Sequence, residues 1–436
     1  MNLKLKSPKM PIFRLMPLLI ISLTTVIIVT SLTLGSRAVL KPSTGTIPST
    51  FFGLHLHHVA TLPTYPHDPP IENLTPWPSV PFSGWRLWDS YTAWPNLEPR
   101  KGEWNFQILD KSLKLAEQNQ VEVLFVFGLS PRWASSRPSE ESKYGRGNAA
   151  EPKNIEDWEN YVRTIAKRYK GQIHYYELWN EPNLKGFYSG TIDDLIKLSE
   201  AAYKILKAVD PSVTVVSPSA ANSSNRGLVW IEEYLRKGGG AYADVIGYHF
   251  YVKPKPPESM IPVIDSVWQY MRDYGVSDKP LWNTETGWQE PKPFPSDDLA
   301  AAYVARSYIL NWAGGVSRFY WYDWDYNPTM SLHMTQEDST TLKPAAISYQ
   351  KVQQWLVGSQ MRECRLNSRK IWICQLTRER DYRGWILWNP DGESSFHVPS
   401  HWNIDRIRDL AGNERMMPGN RIKVGPSPLL LEDLPS

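Results

Sequence analysis

Short apolar runs alternate with longer amphipathic stretches from about residue 50 to residue 357. The short runs, at 51–57, 84–88, 121–127, 173–179, 214–218, 243–251, 279–285 and 317–324, read as strands. Between them, 106–119, 155–169, 192–209, 228–237, 261–274 and 296–313 read as helices, and 344–357 closes the series. Asp157, Trp158, Tyr161, Val162 and Ile165 show the 3.6-residue period, mixed as a surface helix should be. Eight strands interleaved with helices over about 310 residues predict a (β/α)8 TIM barrel, whose parallel strands need such crossovers. After Gly358 the texture changes to strands alone, at 370–377, 384–388, 395–398 and 421–424, with a turn cluster at Asn389-Pro390-Asp391-Gly392. The expected class is α/β. Residues 45–360 form the barrel and 361–436 a small C-terminal β-sandwich, with 39–48 as a connection between the two.

Two long loops interrupt this rhythm. Residues 60–81 hold seven prolines and no periodicity, and 136–153 are rich in Ser, Gly and charge. They follow the first and third strands, where they can wall a cleft on the active face of a barrel.

The first 38 residues are set apart by charge and hydropathy. Lys4, Lys6, Lys9 and Arg14 precede a 20-residue apolar run at 15–34. That run has the length of a membrane anchor, while Ser36-Arg37-Ala38 is an acceptable signal cleavage site. Either reading exports the rest of the chain, to a periplasmic or extracellular location, with the length favouring an anchor in the cytoplasmic membrane. The formal charge of +3 falls to −2 once these four residues and Arg37 are set aside, so nothing points to nucleic acid. In an exported chain Cys364 and Cys374, on either side of an Asn367-Ser368 turn signal, could be bonded or reduced.

Composition adds one clue. The chain carries 20 Trp, 22 Tyr and 12 Phe. Flat aromatic rings complement the C–H faces of sugars, although most of these rings must pack between helices and sheet.

The candidate chemistry gathers at predicted strand ends. Residues 172–183 read QIHYYELWNEPN, so an aromatic run ends at Asn180-Glu181 and Pro182 stops further pairing. Residues 279–288, KPLWNTETGW, end a second run at Glu285. Two carboxyl groups facing one pocket, one protonated and one ionised, are what glycosidic bond hydrolysis needs. Arg86 on the second strand is a cation for the barrel mouth, or else a buried partner of Glu177. His249 and Tyr251 share one face of the sixth strand, and Asn283 is placed with Glu285 on the seventh. Asn180 and Glu181 alternate to opposite faces of a regular strand, so both reach one sugar only if the backbone breaks at 179–181.

Asn180-Glu181-Pro182 and Glu285 resemble the two catalytic motifs of clan A glycoside hydrolases. The resemblance extends to Arg86, to His249-x-Tyr251 and to Trp321 in Phe-Tyr-Trp-Tyr-Asp-Trp, and covers about residues 50–360. With Trp388-Asn389-Pro390 and the Pro428-Leu-Leu-Leu-Glu close, the tail looks like the accessory sandwich of family 39. That family includes β-xylosidases, α-L-iduronidases and bacterial endoglycosidases acting on exopolysaccharide, the last being most similar to an exported chain. The resemblance implies a retaining hydrolase of β-linked polysaccharide or oligosaccharide, with Glu181 as acid/base and Glu285 as nucleophile. It implies Asn180 as donor to the sugar 2-hydroxyl, His249 and Tyr251 as support, and Trp321 as floor of the subsite. The third strand ends at Gly128-Leu129-Ser130-Pro131-Arg132-Trp133, where some relatives place a His; Trp133 is then expected as a sugar platform.

Two alternatives belong to other classes. A barrel that binds carbohydrate without cleaving it would keep the fold and lose the chemistry. His55-x-His57-His58 is spaced like the metal ligands of barrel amidohydrolases, but the fifth strand offers no ligand and the fourth no Lys. No metal or cofactor is therefore expected, and His55 and His57 either donate hydrogen bonds to sugar hydroxyls or fill the barrel floor.

Overall fold

A computed structural model describes residues 39–40, 42–60, 74–222, 226–379 and 381–434. Residues 1–38, where a targeting segment is expected, and the centre of the proline-rich loop lie outside the described residues. Among the described residues no helix is long and apolar enough to cross a membrane.

The first four strands of the parallel sheet are Phe52–His55, Gly84–Leu87, Glu122–Val126 and Tyr175–Glu177. The sixth, seventh and eighth are Ile246–His249, Leu281–Thr286 and Val316–Trp321. The fifth comes in two pieces, Thr214–Val216 and Ala220–Ala221, split by Ser217-Pro218-Ser219. Its first piece pairs with the fourth strand and its second with the sixth, so the curled sheet returns to itself through one interrupted strand. Parallel bridges Val216–Val245 and Asn180–Ser219 span the break. Pro218 has no N–H to give a ladder, which is one reason the strand divides there. The helices Gln107–Gln118, Ile155–Arg168, Ile192–Val209, Arg226–Arg236, Met260–Asp273, Asp297–Ala313 and Pro344–Leu356 cover the outside. Thr191 and Ser296 start two of them by accepting from the N–H of Asp194 and Leu299. This arrangement is that of a (β/α)8 fold.

Inside the sheet, Leu124, Val216, Val245, Trp282 and Tyr320 pack into one layer. Tyr320 fits because its neighbours on the first and second strands are Gly53 and Gly84. A Cβ at these positions would lie 2.4 and 2.9 Å from the Tyr320 ring. The ring is buried, so it cannot yield cheaply. Gly53→Ala is expected to destabilise the fold by about 1–3 kcal/mol, as overpacking of a closed core does. A denaturant midpoint that does not move would contradict this.

Beyond residue 360 the chain builds a second, antiparallel sheet. Its order is Val39–Leu40, Gln360–Leu366, Trp372–Thr377, Arg383–Trp388, Leu429–Asp433, Arg406–Arg408 and Glu414–Met416. Residues 39–40 thus join the tail as an edge strand. A two-stranded ribbon, Ser394–His397 with Arg421–Val424, lies over one face. Ile373, Trp385 and Leu387 pack there against Phe396, Trp402 and Ile422. From the other face Cys364, Cys374, Ile386 and Trp388 join the main core. Cys364 and Cys374 are cross-strand partners, and a disulfide joins them.

Candidate active site

The local backbone explains why two neighbouring residues of the fourth strand reach the same site. Tyr175 and Glu177 point into the barrel, and Tyr176 and Leu178 pack outward in the core. Trp179 should then point inward. Instead it takes φ 131°, packs at a tilt beside Trp158 of the surrounding helix and donates its indole N–H to the Phe187 carbonyl. Glu181 follows at φ 46°. These positive values disfavour side chains with a Cβ, and packing of the Trp179 indole holds the backbone there. After the break, Asn180 and Glu181 both line the cavity.

A second irregularity serves Glu285. On the seventh strand Asn283 pairs with Phe319 and Thr286 with Trp321, a shift of one residue against the eighth strand. Thr284 and Glu285 therefore both face inward. Asn283 does not: its amide donates to Asn311 of the following helix. Sequence alternation, which put Asn283 beside Glu285, fails at this bulge.

The two glutamates converge. An oxygen of Glu181, an oxygen of Glu285 and a ring nitrogen of His249 lie within 4.8 Å of one another. Both carboxyls are buried, at 8% and 6% exposure. Glu285 accepts from the Arg86 guanidinium at 2.8 Å and from the Tyr251 hydroxyl at 2.9 Å. Glu181 meets His249 Nδ1 at 3.2 Å. Burial pushes the Glu181 carboxyl up to about 7, against the opposing charges of Lys143 and Arg86. Burial also raises Glu285, which His249 and Arg86 oppose and the nearby Glu181 charge reinforces. Burial brings His249 down to about 4, so its ring is neutral. The guanidinium and the phenol aimed at Glu285 favour its ionised form, a support that the neutral His249 ring does not give Glu181.

Such a trio has ligand spacing for a cation. Both Glu285 oxygens, however, already accept hydrogen bonds, which suits an ionised carboxylate held for attack better than metal coordination.

Arg86 is fully buried, and of the two sequence readings the geometry fits the buried partner of Glu177. It grips Glu177 through Nε at 2.6 Å and one terminal nitrogen at 2.8 Å, then reaches Glu285 and the side-chain oxygen of Asn180, the last at 2.7 Å. It holds the site from beneath and is no part of the cavity wall, which corrects its expected contact with substrate. Asn180 is left with a buried amide nitrogen that has no hydrogen-bond partner among the described residues, a donor positioned for a ligand.

The cavity has a volume of about 480 Å3, within the range of small-molecule sites. Tyr251 lines it, while His249 lies just behind, bonded to Glu181. His55 is also buried behind the wall, 3.2 Å from the Thr284 carbonyl and with its ring against Tyr322, so it does not reach sugar hydroxyls. Trp321 is not the floor. Alternation on the eighth strand turns it outward onto Trp288 and Tyr308, and Tyr322 faces the cavity in its place. Trp133 is no platform here either. Its indole N–H donates to the Glu98 carbonyl, and its ring packs edge-on against Trp94.

Residues missed from sequence complete the wall: Trp88, Asp89, Lys143, Tyr144, Lys253 and Gln289. Asp89 accepts from the hydroxyls of Tyr144 and Tyr322 at 2.7 and 2.9 Å and so ties a loop to the eighth strand. Its place directly after the second strand was a usable signal. A second cavity of about 360 Å3 adjoins, sharing Trp88, Asp89 and Tyr144.

The raised Glu181 carboxyl has a consequence for stability. The folded state keeps this proton after the unfolded chain, titrating near 4.5, has lost it, so stability falls as pH rises from about 4.5 to 7. Glu181→Gln is expected to be more stable than the parent at pH 8, by up to about 3 kcal/mol, with no gain near pH 4. Equal differences at both pH values would contradict the assignment.

Comparison with known proteins points one way. The family model described as glycosyl hydrolases family 39 matches residues 79–321. A β-xylosidase of Caldicellulosiruptor saccharolyticus is 34% identical over 117 residues, which are 24% of this chain and 23% of that protein. The chain thus matches less than a quarter of the length of this curated relative. Among solved structures, a family 39 glycoside hydrolase from Bacteroides cellulosilyticus WH2 superposes with a TM-score of 0.66 at 21% identity. The match covers 80% of this chain and 75% of that one. A monomeric β-xylosidase from Caulobacter crescentus CB15 gives a TM-score of 0.63 at 14% identity, covering 91% and 99%. At these identities the two structures speak to the fold alone.

Proposed function

The chain belongs to glycosyl hydrolases family 39, and from that premise we propose that it is a retaining glycosidase of β-linked glycans, with Glu181 as acid/base and Glu285 as nucleophile. The observation that carries this reading is the close approach of the two carboxyls with unequal surroundings, one charged by Arg86 and Tyr251 and the other bonded to a neutral His249. An approach within 4.8 Å favours the retaining pair, at about 5–5.5 Å, over the inverting pair, at about 6.5–9.5 Å.

The steps follow from the donors. Glu285 attacks the anomeric carbon while Glu181 protonates the departing glycosidic oxygen, leaving a glycosyl ester on Glu285. Glu181, now ionised, takes a proton from water, and the water oxygen displaces Glu285 with a second inversion. The Asn180 amide is placed to donate to the 2-hydroxyl, where such a bond strengthens in the transition state.

This assignment predicts a bell-shaped pH profile. Activity falls above about pH 7 as Glu181 loses its proton, and falls on the acid side as Glu285 gains one. In Glu181→Ala the loss should be severe for substrates with poor leaving groups and small for activated aryl glycosides. A uniform loss across leaving groups would deny Glu181 the acid role.

The substrate is proposed to be a polysaccharide outside the cytoplasm, on the strength of the N-terminal segment alone. A panel of β-xylan, β-glucan and bacterial exopolysaccharide, with products sized by mass, tests this. The adjoining cavity supports several bound sugars and hence a ladder of oligomers rather than a monosaccharide. Full-length protein should fractionate with membranes, and a chain starting at residue 39 should not. No cleavage of any glycan would leave a binding barrel as the better description.

A further inference from the structure

The cavity that holds the two glutamates has two lysines in its wall. Lys143 comes from the loop after the third strand and Lys253 from the segment after the sixth. Lys101, Lys204, Lys237 and Lys370 each contact a carboxylate elsewhere on the surface. Among the described residues, Lys143 and Lys253 do not. The Lys143 ammonium lies 4.8 Å from the centre of the Phe187 ring, and Lys253 meets only the side-chain oxygen of Gln289.

Two cations beside a catalytic acid carry a cost. Both lysines favour the ionised form of Glu181, against the proton that a leaving group needs. The acidic groups nearby do not cancel them. Asp89 is engaged by the hydroxyls of Tyr144 and Tyr322, Glu290 acts on Lys253 without a hydrogen bond to it, and Lys292 adds a further positive charge. A group that entered with the substrate and carried negative charge would offset both lysines and further favour the protonated form of Glu181.

We propose that the glycan bound beside Glu181 carries an anionic substituent, held between Lys143 and Lys253. The shared chemistry is an oxyanion, supplied by a uronic acid carboxylate or by a sulfate ester. The proposal rests on the glycosidase reading and names the substrate class of that site.

Calorimetry on full-length Glu285→Gln protein tests it with three probes. They are a β-linked oligosaccharide bearing glucuronic acid, its carboxyl-reduced counterpart, and the reduced form carrying one sulfate ester. The acidic probe should bind about tenfold more tightly than the reduced one, the size of two partly screened ion pairs. Adding Lys143→Met and Lys253→Met should shrink the preference to about twofold or less. Without those changes, raising salt from about 20 to about 200 mM should weaken binding of the acidic probe alone. If the sulfate ester binds more tightly than the carboxylate, the proposal stands with sulfate as the source. Equal affinity for all three probes, with hydrolysis of the glycan panel intact, would overturn the proposal and leave the glycosidase reading standing. Failure of the parent protein to cleave any glycan is the separate failure of that reading.

Discussion

Glu285→Gln is expected to lower kcat by about ten-thousandfold or more, because it removes the attacking oxygen and leaves no group to take its place. The change is nearly isosteric. The amide introduced there keeps an acceptor oxygen for Arg86 or Tyr251, so the fold should persist and substrate should still bind. The expected pattern is a lost kcat with a near-normal Kd, measured by single-turnover kinetics and calorimetry. Loss of both together would instead show that Glu285 maintains the cavity. A barrel that merely binds carbohydrate would have no turnover to lose.

Arg86→Leu is expected to cost about 3–5 kcal/mol of stability, the largest effect on folding proposed here. Arg86 is fully buried and satisfies Glu177 through two nitrogens, Asn180 through a third contact and Glu285 through a fourth. Removing it leaves Glu177 with no cation at hydrogen-bond distance in a buried position, and a charge there must be neutralised or hydrated. It also takes from Glu285 the charge that keeps it ionised. Activity should therefore shift as well as fall, with the acid limb of the pH profile moving to higher pH. Lysine at this position restores charge but not the fork that spans two carboxylates and an amide, so rescue by Arg86→Lys should be partial. Urea unfolding with the pH profile checks both parts. An unchanged midpoint would mean that the network contributes no stability.

The barrel was legible because its signals are local. Each apolar run holds a strand of the sheet, the fifth of them divided, and helices such as Ile192–Val209 and Ile155–Arg168 lie between them. Glu181 and Glu285 were legible because each closes such a run. What sequence could not carry was which way side chains point once the ladder is irregular. Trp321 and Tyr322 are neighbours, and only the register of the eighth strand tells that Tyr322 faces the cavity. The same holds for Asn283, displaced by the bulge against Phe319 and Trp321. The break at Trp179 could be anticipated, since two adjacent residues had to reach one ligand. Its cause could not, because it lies in the packing of the Trp179 indole against Trp158.

Trp133 shows the other limit. An aromatic residue just past a strand end is a reasonable sugar platform, yet Trp94 and the Glu98 carbonyl claim it. Both belong to a short segment after the second strand whose fold depends on long-range contacts. Lys143 and Tyr144 reach the cavity on a loop fixed by Arg137, which pairs with Glu140 and Glu151 and bonds Ser189. Nothing in the spacing of that loop forecast which of its residues would turn inward.

The most direct test of the paired-glutamate account is the anomeric configuration of the first-formed product. Proton NMR would follow hydrolysis of a β-linked glycan that the chain cleaves, before mutarotation. Two displacements through Glu285 predict a β-configured sugar at the earliest time points. An α-configured product would mean a single displacement by water, and with it a pair of carboxylates arranged otherwise than the one described.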